Sequence, residues 1–268
     1  LEKSRNLMTV RIAQDLGLKK IVNLSKQLGI YDNPSELLSI SLGSAETTLL
    51  KLTSAYCSFV NGGKLVNPIM IDRIQDSEGN TIFNNEKRKC LNCDKISSLS
   101  DNYPEIEDNF PQIFSSETAY QMTSILEGAV QNGTGKNLKD LNIDLAGKTG
   151  TTNGNTDTWF IGFTSKLAIG VYVGSDNPKP LGKYETGAKT ALPIFKKFVK
   201  AGVKKRDARP FKVADNILMM VIDPLTGKKA EIQSKKTIIE AYKNNQDATI
   251  FNLDINNRLK NNNILRFY

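Results

Sequence analysis

The run Gly147 to Asn153, Gly-Lys-Thr-Gly-Thr-Thr-Asn, combines a cation, several hydroxyls and permissive backbone in one short segment. A lysine ammonium attracts carboxylates and phosphates, and nearby threonine hydroxyls can add hydrogen bonds to the same anion. The first three residues match the end of a phosphate-binding P-loop, but Asn142 stands where that motif requires its first glycine. Residues 151–156 are polar and turn-like, whereas a P-loop opens a helix. The run therefore indicates an anion site of another kind.

The 268-residue chain contains no histidine, which excludes Ser-His-Asp and Cys-His catalysis, histidine-ligated zinc and histidine general bases. In a hydrolase or transferase, lysine, carboxylates or tyrosine would have to move the protons. A strand entering a turn would explain the glycines of residues 147–153 without any chemistry. That structural explanation does not require the order Lys-Thr-Gly-Thr. This order is typical of the Lys-Thr-Gly strand of penicillin-recognising serine enzymes.

Further motifs resemble the transpeptidase domain of class A, bifunctional penicillin-binding proteins over most of residues 1–203. Ser4-Arg5-Asn6 matches the Ser-x-Asn motif of that family, and Lys-Thr-Gly-Thr-Thr-Asn and Asp-Thr-Trp-Phe follow in the family's order. Each motif alone is a weak signal, and their common order is specific. Other runs similar to the family begin at Leu42, Asn61, Asn132 and Gly187.

The resemblance implies acyl transfer on peptidoglycan. A serine acyl-enzyme forms, D-alanine leaves, and the amine of a neighbouring stem peptide attacks the acyl group. In this scheme Ser4 relays a proton toward the leaving nitrogen, and Asn6 holds the substrate amide carbonyl. Taken singly, both residues would be interpreted as helix caps, and only the combination of motifs favours a catalytic role.

The same resemblance assigns substrate binding to residues 148–152. Lys148, which also counts as catalytic, would act with Thr149 and Thr151 to bind the carboxylate of a D-alanyl-D-alanine stem peptide or of a β-lactam. Gly150 would let the substrate approach the backbone, and the Thr151 amide would donate to a developing oxyanion. Thr152 completes the predicted binding run. The chemistry requires no metal and no cofactor.

The family's nucleophile lies in a Ser-x-x-Lys motif several dozen residues before Ser-x-Asn, and this sequence contains no Ser-x-x-Lys. We therefore expect a fold that is incomplete at its N-terminus, with the nucleophile, a glycosyltransferase domain and a membrane anchor upstream. The parent protein is expected in the bacterial inner membrane, with this part on the periplasmic face. Two alternatives stay open: a D,D-carboxypeptidase or β-lactamase-type hydrolase, and a non-catalytic peptidoglycan-binding module of the same fold.

Short strands and amphipathic helices would position these residues. Three strands are expected at 144–148, 159–164 and 167–174, and the short gap between the last two predicts antiparallel neighbours. Helical spacing and end signals predict helices near 7–17, 19–28, 46–60, 115–130 and 190–203. The predicted fold class is α+β, an antiparallel sheet flanked by helices, which resembles the penicillin-binding and serine β-lactamase-like transpeptidase fold.

The predicted domain organisation is a transpeptidase domain over residues 1–205 and a C-terminal tail over residues 206–268. In the tail we expect a strand at 215–222 and a helix near 237–243. The last two dozen residues are rich in asparagine and lysine, so they are expected to be loosely held.

The charge and motifs of the chain indicate which kinds of partner to expect. The net charge of +8 is spread over short basic runs, which favours a solvated basic surface. The sequence contains one tryptophan and no RNP-like motif, so nucleic acid is not an expected partner.

Cys90 and Cys93 form a CxxC pair in a polar segment, and a disulfide or two free thiols are equally compatible with it. Zinc would need two more ligands, and Cys57 is the one remaining cysteine.

Overall fold

The computed structural model describes residues 1–86, 88–91, 93, 105–204, 209–224, 226–230 and 237–244. The chain forms two compact units. One unit consists of residues 6–114, and the other joins residues 1–5 to the chain from Ser115 onward. Among the described helices, none is long and apolar enough to cross a membrane.

The unit of residues 6–114 contains three α-helices and two short antiparallel hairpins among its described residues. The helices are α1 (Asn6–Leu16), α2 (Leu18–Gln27) and α3 (Leu49–Val60). The hairpins pair β1 (Arg73–Gln75) with β2 (Thr81–Asn84) and β3 (Cys90–Leu91) with β4 (Glu105–Ile106). Helices were predicted in all three places, and α3 begins a few residues later than expected, where the Thr48 hydroxyl accepts a hydrogen bond from the Lys51 amide.

The cysteines of this unit are in two states. Cys90 and Cys93 form a disulfide, so the structure selects one of the two alternatives that the CxxC spacing left open. Cys57 is a half-buried free thiol on α3, and burial raises the pKa of this thiol. An uncharged, half-buried thiol is a poor nucleophile, as expected for a residue with a packing role.

The second unit is built on a three-stranded antiparallel sheet. Its helices and strands are α4 (Ser116–Gln131), β5 (Ala146–Thr151), β6 (Thr158–Phe163), β7 (Ala168–Val173), α5 (Ala191–Gly202), β8 (Ile217–Ile222) and β9 (Ile238–Lys243). The sheet has the order β5-β6-β7, with Lys148 opposite Ile161 and Gly150 opposite Trp159. The three predicted strands and their antiparallel arrangement are confirmed, but the first strand runs from Ala146 to Thr151 and not over 144–148. In the described part of the chain β5 has one strand neighbour, so its outer edge is open to a ligand.

The core of this unit lies between the sheet and its flanking helices. Phe160 of β6 and Phe195 of α5 are completely buried, with ring centroids 4.6 Å apart in an edge-to-face contact. Other buried side chains of this cluster are Val130, Leu138, Leu145, Leu192 and Val199. The central strand β6 therefore packs on a close-packed core, which fixes the position of β5 beside it.

Gly162 on β6 allows these rings to pack closely. A Cβ atom at this position would lie 2.8 Å from both Phe160 Cε1 and Phe195 Cζ. We expect Gly162→Ala to lower the free energy of unfolding by about 1–3 kcal/mol, because an extra methyl in a full core forces side chains out of position. Urea denaturation would measure the loss.

Gly202→Ala is a matched control, because the nearest atom that its Cβ would meet is Phe198 Cε1 at 3.9 Å. Alanine is also the better helix former, so this variant should be as stable as the parent or slightly more stable. Equal unfolding midpoints for the two variants would contradict the packing described for Gly162.

The tail contains a strand pair. β8 lies where a strand was expected, but the predicted helix near 237–243 is wrong, because these residues form β9, antiparallel to β8 with Ile217 opposite Lys243. Isoleucine and tyrosine in β9 favour a strand, and the apolar β8 offers a row of backbone groups that require partners. β9 also contacts α4, where the Gln121 side chain donates to the Ala241 carbonyl at 3.0 Å.

Two predictions about the tail concern segments outside the described residues. The proposed boundary between residues 205 and 206 lies in one of them, and the loosely held C-terminal segment lies in the other. Both stay predictions.

Candidate active site

Strand β5 presents Lys148 at the open edge of the sheet. The preceding Gly147 is buried, and a Cβ there would lie 2.8 Å from Ile161 O and from Phe160 Cζ, so the strand can pack this closely only with glycine. Lys148 is half-buried, and burial lowers the pKa of its ammonium group, because a desolvated cation is disfavoured. An anion bound beside Lys148 would offset this desolvation.

The Lys148 ammonium contacts a serine from the far end of the chain. Lys148 Nζ donates to Ser4 Oγ at 2.8 Å and to the Thr149 carbonyl at 2.8 Å. Ser4 has a φ of 51°, in the left-handed region that few non-glycine residues adopt, and its amide donates to Leu1 O at 3.0 Å. The structure thus brings together the Ser-x-Asn serine and the Lys-Thr-Gly lysine, 144 positions apart.

Residues 1–5 are held by the C-terminal half of α4 and the turn after it. The Thr134 amide donates to the Glu2 carbonyl at 3.2 Å. The Glu2 carboxylate lies over Gly128 of α4, and a Cβ at Gly133 would lie only 2.9 Å from the Glu2 carbonyl carbon. Gly133 therefore makes room for the backbone of the segment that carries Ser4, and Gly128 makes room for the Glu2 side chain.

Two threonine hydroxyls follow Lys148 on β5, and each has a partner in the same unit. Thr149 Oγ1 lies 2.8 Å from Thr134 Oγ1, and Thr151 Oγ1 accepts a hydrogen bond from the Gly187 amide at 3.0 Å. A hydroxyl has one donor and two acceptor positions. Because Thr151 uses an acceptor position for Gly187, its proton can still be donated to an anion.

Gly150 and Gly187 are in close contact. A Cβ on Gly187 would lie 2.5 Å from the carbonyl oxygens of Gly150 and Trp159, so this approach to the β5–β6 pair requires glycine. A Cβ on Gly150 would lie 3.1 Å from Trp159 Cβ. Gly150 itself adds no side chain at this point of β5, as its predicted role requires, and the Trp159 side chain lies against it.

Thr152 differs from the other predicted binding residues. Its hydroxyl accepts from the Asp157 amide at 2.8 Å and lies 2.8 Å from Thr156 Oγ1, so it closes the turn between β5 and β6. Asn6 is the first residue of α1, in the unit of residues 6–114, and is exposed. The predicted substrate contacts of Thr152 and Asn6 stay predictions.

Thr134 and Gly187 have no role predicted from the sequence, and the structure places them against Thr149 and Thr151. The available signal was that each lies in a run that resembles the family, one beginning at Asn132 and the other at Gly187 itself. A motif shows that a residue type recurs at a position, but it does not show which side chain that residue contacts.

Comparison with known proteins identifies the family. The model of the penicillin-binding protein transpeptidase domain matches residues 1–200. This match covers more than half of the chain, so the chain belongs to the penicillin-binding protein transpeptidase family. The antiparallel sheet and the strand that presents Lys148 agree with this conclusion. It is similar to penicillin-binding protein 1A of Rickettsia conorii, at 43% identity over 100% of this chain and 34% of the relative. It is also similar to penicillin-binding protein 1A of Pseudomonas aeruginosa, at 30% identity over 91% of this chain and 34% of the relative.

Solved structures confirm the predicted fold. Penicillin-binding protein 1A from Haemophilus influenzae matches with a TM-score of 0.75 and 29% identity, over 90% of this chain and 39% of that chain. Penicillin-binding protein A from M. tuberculosis, solved as an imipenem acyl-enzyme complex, shares the fold at a TM-score of 0.55 and 17% identity, over 76% of this chain and 47% of that chain. The chain spans about a third of the length of the curated relatives described above.

Proposed function

We propose that the chain supplies the substrate-carboxylate-binding part of a peptidoglycan D,D-transpeptidase that works through a serine acyl-enzyme. The observation that carries the proposal is the 2.8 Å contact between Lys148 Nζ and Ser4 Oγ. It joins the two family motifs of this sequence at one open strand edge. The proposed ligands are D-alanyl-D-alanine stem peptides and the β-lactams that mimic them.

The geometry of this edge suits a carboxylate. Lys148 provides a positive charge that burial leaves poorly solvated, and Thr149 and Thr151 follow it on the same strand. The ammonium group loses interaction energy with water when it is buried. A bound carboxylate would replace part of that energy. The two hydroxyls would add hydrogen bonds of fixed direction, which select a planar anion over a spherical one.

Ser4 is placed to pass on a proton. Because Lys148 Nζ donates to Ser4 Oγ, one lone pair of the hydroxyl is occupied, and the hydroxyl proton is directed away from the lysine. A leaving nitrogen in front of this edge could accept that proton while the ammonium stabilises the oxygen, and Ser4 would regain a proton from the base that deprotonated the nucleophile.

Acyl transfer also requires a nucleophile and a base within hydrogen-bond reach of it. The sequence contains no Ser-x-x-Lys, the motif that supplies both in this family. We therefore assign the nucleophile to a Ser-x-x-Lys segment in the part of the protein that this sequence does not cover.

The proposed location is the periplasmic face of the bacterial inner membrane, with the membrane anchor outside the residues given. The Cys90–Cys93 disulfide supports this location, because disulfides persist in oxidising compartments and are rare in the cytosol.

Replacing Ser4 tests the proposed relay. We expect Ser4→Gly in the complete protein to slow acylation by a fluorescent penicillin by about 10²-fold or more, the scale of a lost proton-transfer group. Glycine keeps the left-handed backbone of residue 4 without strain, so the variant removes the hydroxyl alone. Ser54→Ala is a control in the unit of residues 6–114, where the Ser54 hydroxyl donates to the Leu50 carbonyl within α3 at 2.8 Å, and it should react like the parent. Equal acylation rates for parent and Ser4→Gly would contradict the relay.

Product analysis separates the proposed transpeptidase from the alternatives. With a stem peptide and an acceptor amine, the complete protein should form a new amide bond with loss of D-alanine. Transfer only to water would indicate a D,D-carboxypeptidase. A complete protein that contains Ser-x-x-Lys, binds stem peptides and never becomes acylated would indicate a non-catalytic module.

The disulfide is not expected to take part in the reaction. Cys90 and Cys93 are exposed in the unit of residues 6–114, whereas Ser4 and Lys148 belong to the other unit. We expect the double variant Cys90→Ser, Cys93→Ser to be acylated by penicillin at the parental rate. A rate measured by stopped-flow fluorescence that falls tenfold or more would show that the disulfide supports the site.

A further inference from the structure

The turn after α4 touches both halves of the candidate active site. Thr134 donates its amide proton to the carbonyl of Glu2 at 3.2 Å, two residues before Ser4. Its side-chain oxygen lies 2.8 Å from Thr149 Oγ1, next to Lys148. A single half-buried residue thus bonds to the segment that carries the serine and to the strand that carries the lysine.

The turn itself is held by backbone hydrogen bonds. The Asn132 amide donates to Gly128 O at 2.8 Å, and the Gly135 amide donates to Ala129 O at 2.9 Å. These bonds anchor the turn to the last residues of α4. A functional group is best supported by neighbours that are themselves fixed, and Thr134 satisfies this condition.

From these contacts we infer that Thr134 is a positioning residue for acylation, an inference that rests on the proposed function. In this inference the Thr134 hydroxyl is the donor of the hydrogen bond that it shares with Thr149 Oγ1, which leaves the Thr149 proton for the substrate carboxylate. The Thr134 amide holds the Glu2 carbonyl, which keeps Ser4 within reach of Lys148. Thr134 itself touches no reacting atom.

Replacing the hydroxyl tests the link to Thr149. In the complete protein, Thr134→Val keeps the shape of the side chain and removes its hydrogen bond. The second-order rate of acylation by a fluorescent penicillin should fall about 10- to 100-fold, the scale of a small misplacement of binding groups. Thr134→Ser keeps a hydroxyl at the same place and should recover most of that rate. A role in packing alone would predict the opposite order, since valine fills the space better than serine.

A double-mutant cycle shows whether Thr134 acts through Thr149. If it does, Thr134→Val should cost little in a Thr149→Val background, because the hydroxyl that it orients is already absent. Losses that multiply in the double variant would overturn the inference.

Substitution of the neighbouring glycines tests the link to Ser4. A Cβ at Gly133 would meet the Glu2 backbone and should displace residues 1–5. Gly133→Ala should therefore slow acylation and speed amide hydrogen exchange in the peptide that contains Ser4. Gly128→Ala is the matched control: a Cβ there meets only the end of the Glu2 side chain, which can rotate away. Equal exchange in the two variants would overturn this half of the inference.

The outcomes also separate this inference from the proposed function. Parental acylation rates in Thr134→Val would overturn the positioning role and leave the transpeptidase assignment intact. A complete protein that penicillin never acylates would overturn both.

Discussion

Incubated with penicillin, the 268-residue chain alone is expected to form no covalent adduct. Acylation requires a nucleophilic oxygen with a base beside it, and the sequence contains neither a Ser-x-x-Lys motif nor a histidine. Ser4 does not replace the nucleophile in this scheme, because the serine of Ser-x-Asn depends on the lysine of the absent Ser-x-x-Lys motif as its proton partner, and Lys148 beside it is assigned to the substrate carboxylate.

Intact-mass spectrometry after exposure to a β-lactam measures this directly. The control is the complete protein, which should gain one β-lactam per chain on a serine of its Ser-x-x-Lys segment. Supplying that segment as a separate fragment should restore labelling if the two parts reassemble. A stoichiometric serine adduct on the 268-residue chain alone would contradict the assignment of the nucleophile to a Ser-x-x-Lys segment that this sequence does not cover.

Loss of the Lys148 charge should have the next largest effect. In the complete protein, Lys148→Ala is expected to weaken acylation by carboxylate-bearing β-lactams by about 2–4 kcal/mol of transition-state stabilisation, the scale of a lost charged contact in a partly desolvated site. Lys148→Arg should restore only part of the rate. The planar guanidinium carries the same charge. It cannot reproduce the single nitrogen of Lys148, which donates to both Ser4 Oγ and the Thr149 carbonyl.

Two controls separate a specific effect from a general loss of charge. Lys197→Ala removes the same charge from an exposed position on α5 and should leave the acylation rate unchanged. A penicillin methyl ester lacks the carboxylate, so Lys148→Ala should slow its acylation less than it slows the acylation of penicillin, and the remaining loss would report the contact of Lys148 with Ser4. Parental acylation of penicillin by Lys148→Ala would contradict the assignment of Lys148 to the carboxylate.

Much of the fold was predictable because its signals are local. The period of apolar residues and the end signals at glycines determine the helices, and the short gap after Thr164 determines that β6 and β7 are antiparallel. The chemistry of the strand was also readable, since Lys148, its glycines and its threonines are consecutive in the sequence.

The error at β9 shows where local signals fail. Glu240, Ala241 and Lys243 favour a helix, whereas Ile238, Ile239 and Tyr242 favour a strand. Pairing with β8 decides between them, because the backbone groups of an apolar strand require partners, and those partners are distant in the sequence.

By itself the sequence predicted the residues of the candidate site and the elements that carry them. Only the tertiary structure decided which residues meet: Ser4 with Lys148 across 144 positions, and Thr149 with Thr134, a residue without a predicted role, across 15. The reason is that residue type and spacing describe the course of the chain over a few residues. A hydrogen bond of 2.8 Å instead requires two residues that are distant in the sequence to be placed with an accuracy of a fraction of an ångström. The packing of α4 against β5 and the close contact of Gly133 with Glu2 provide that accuracy here.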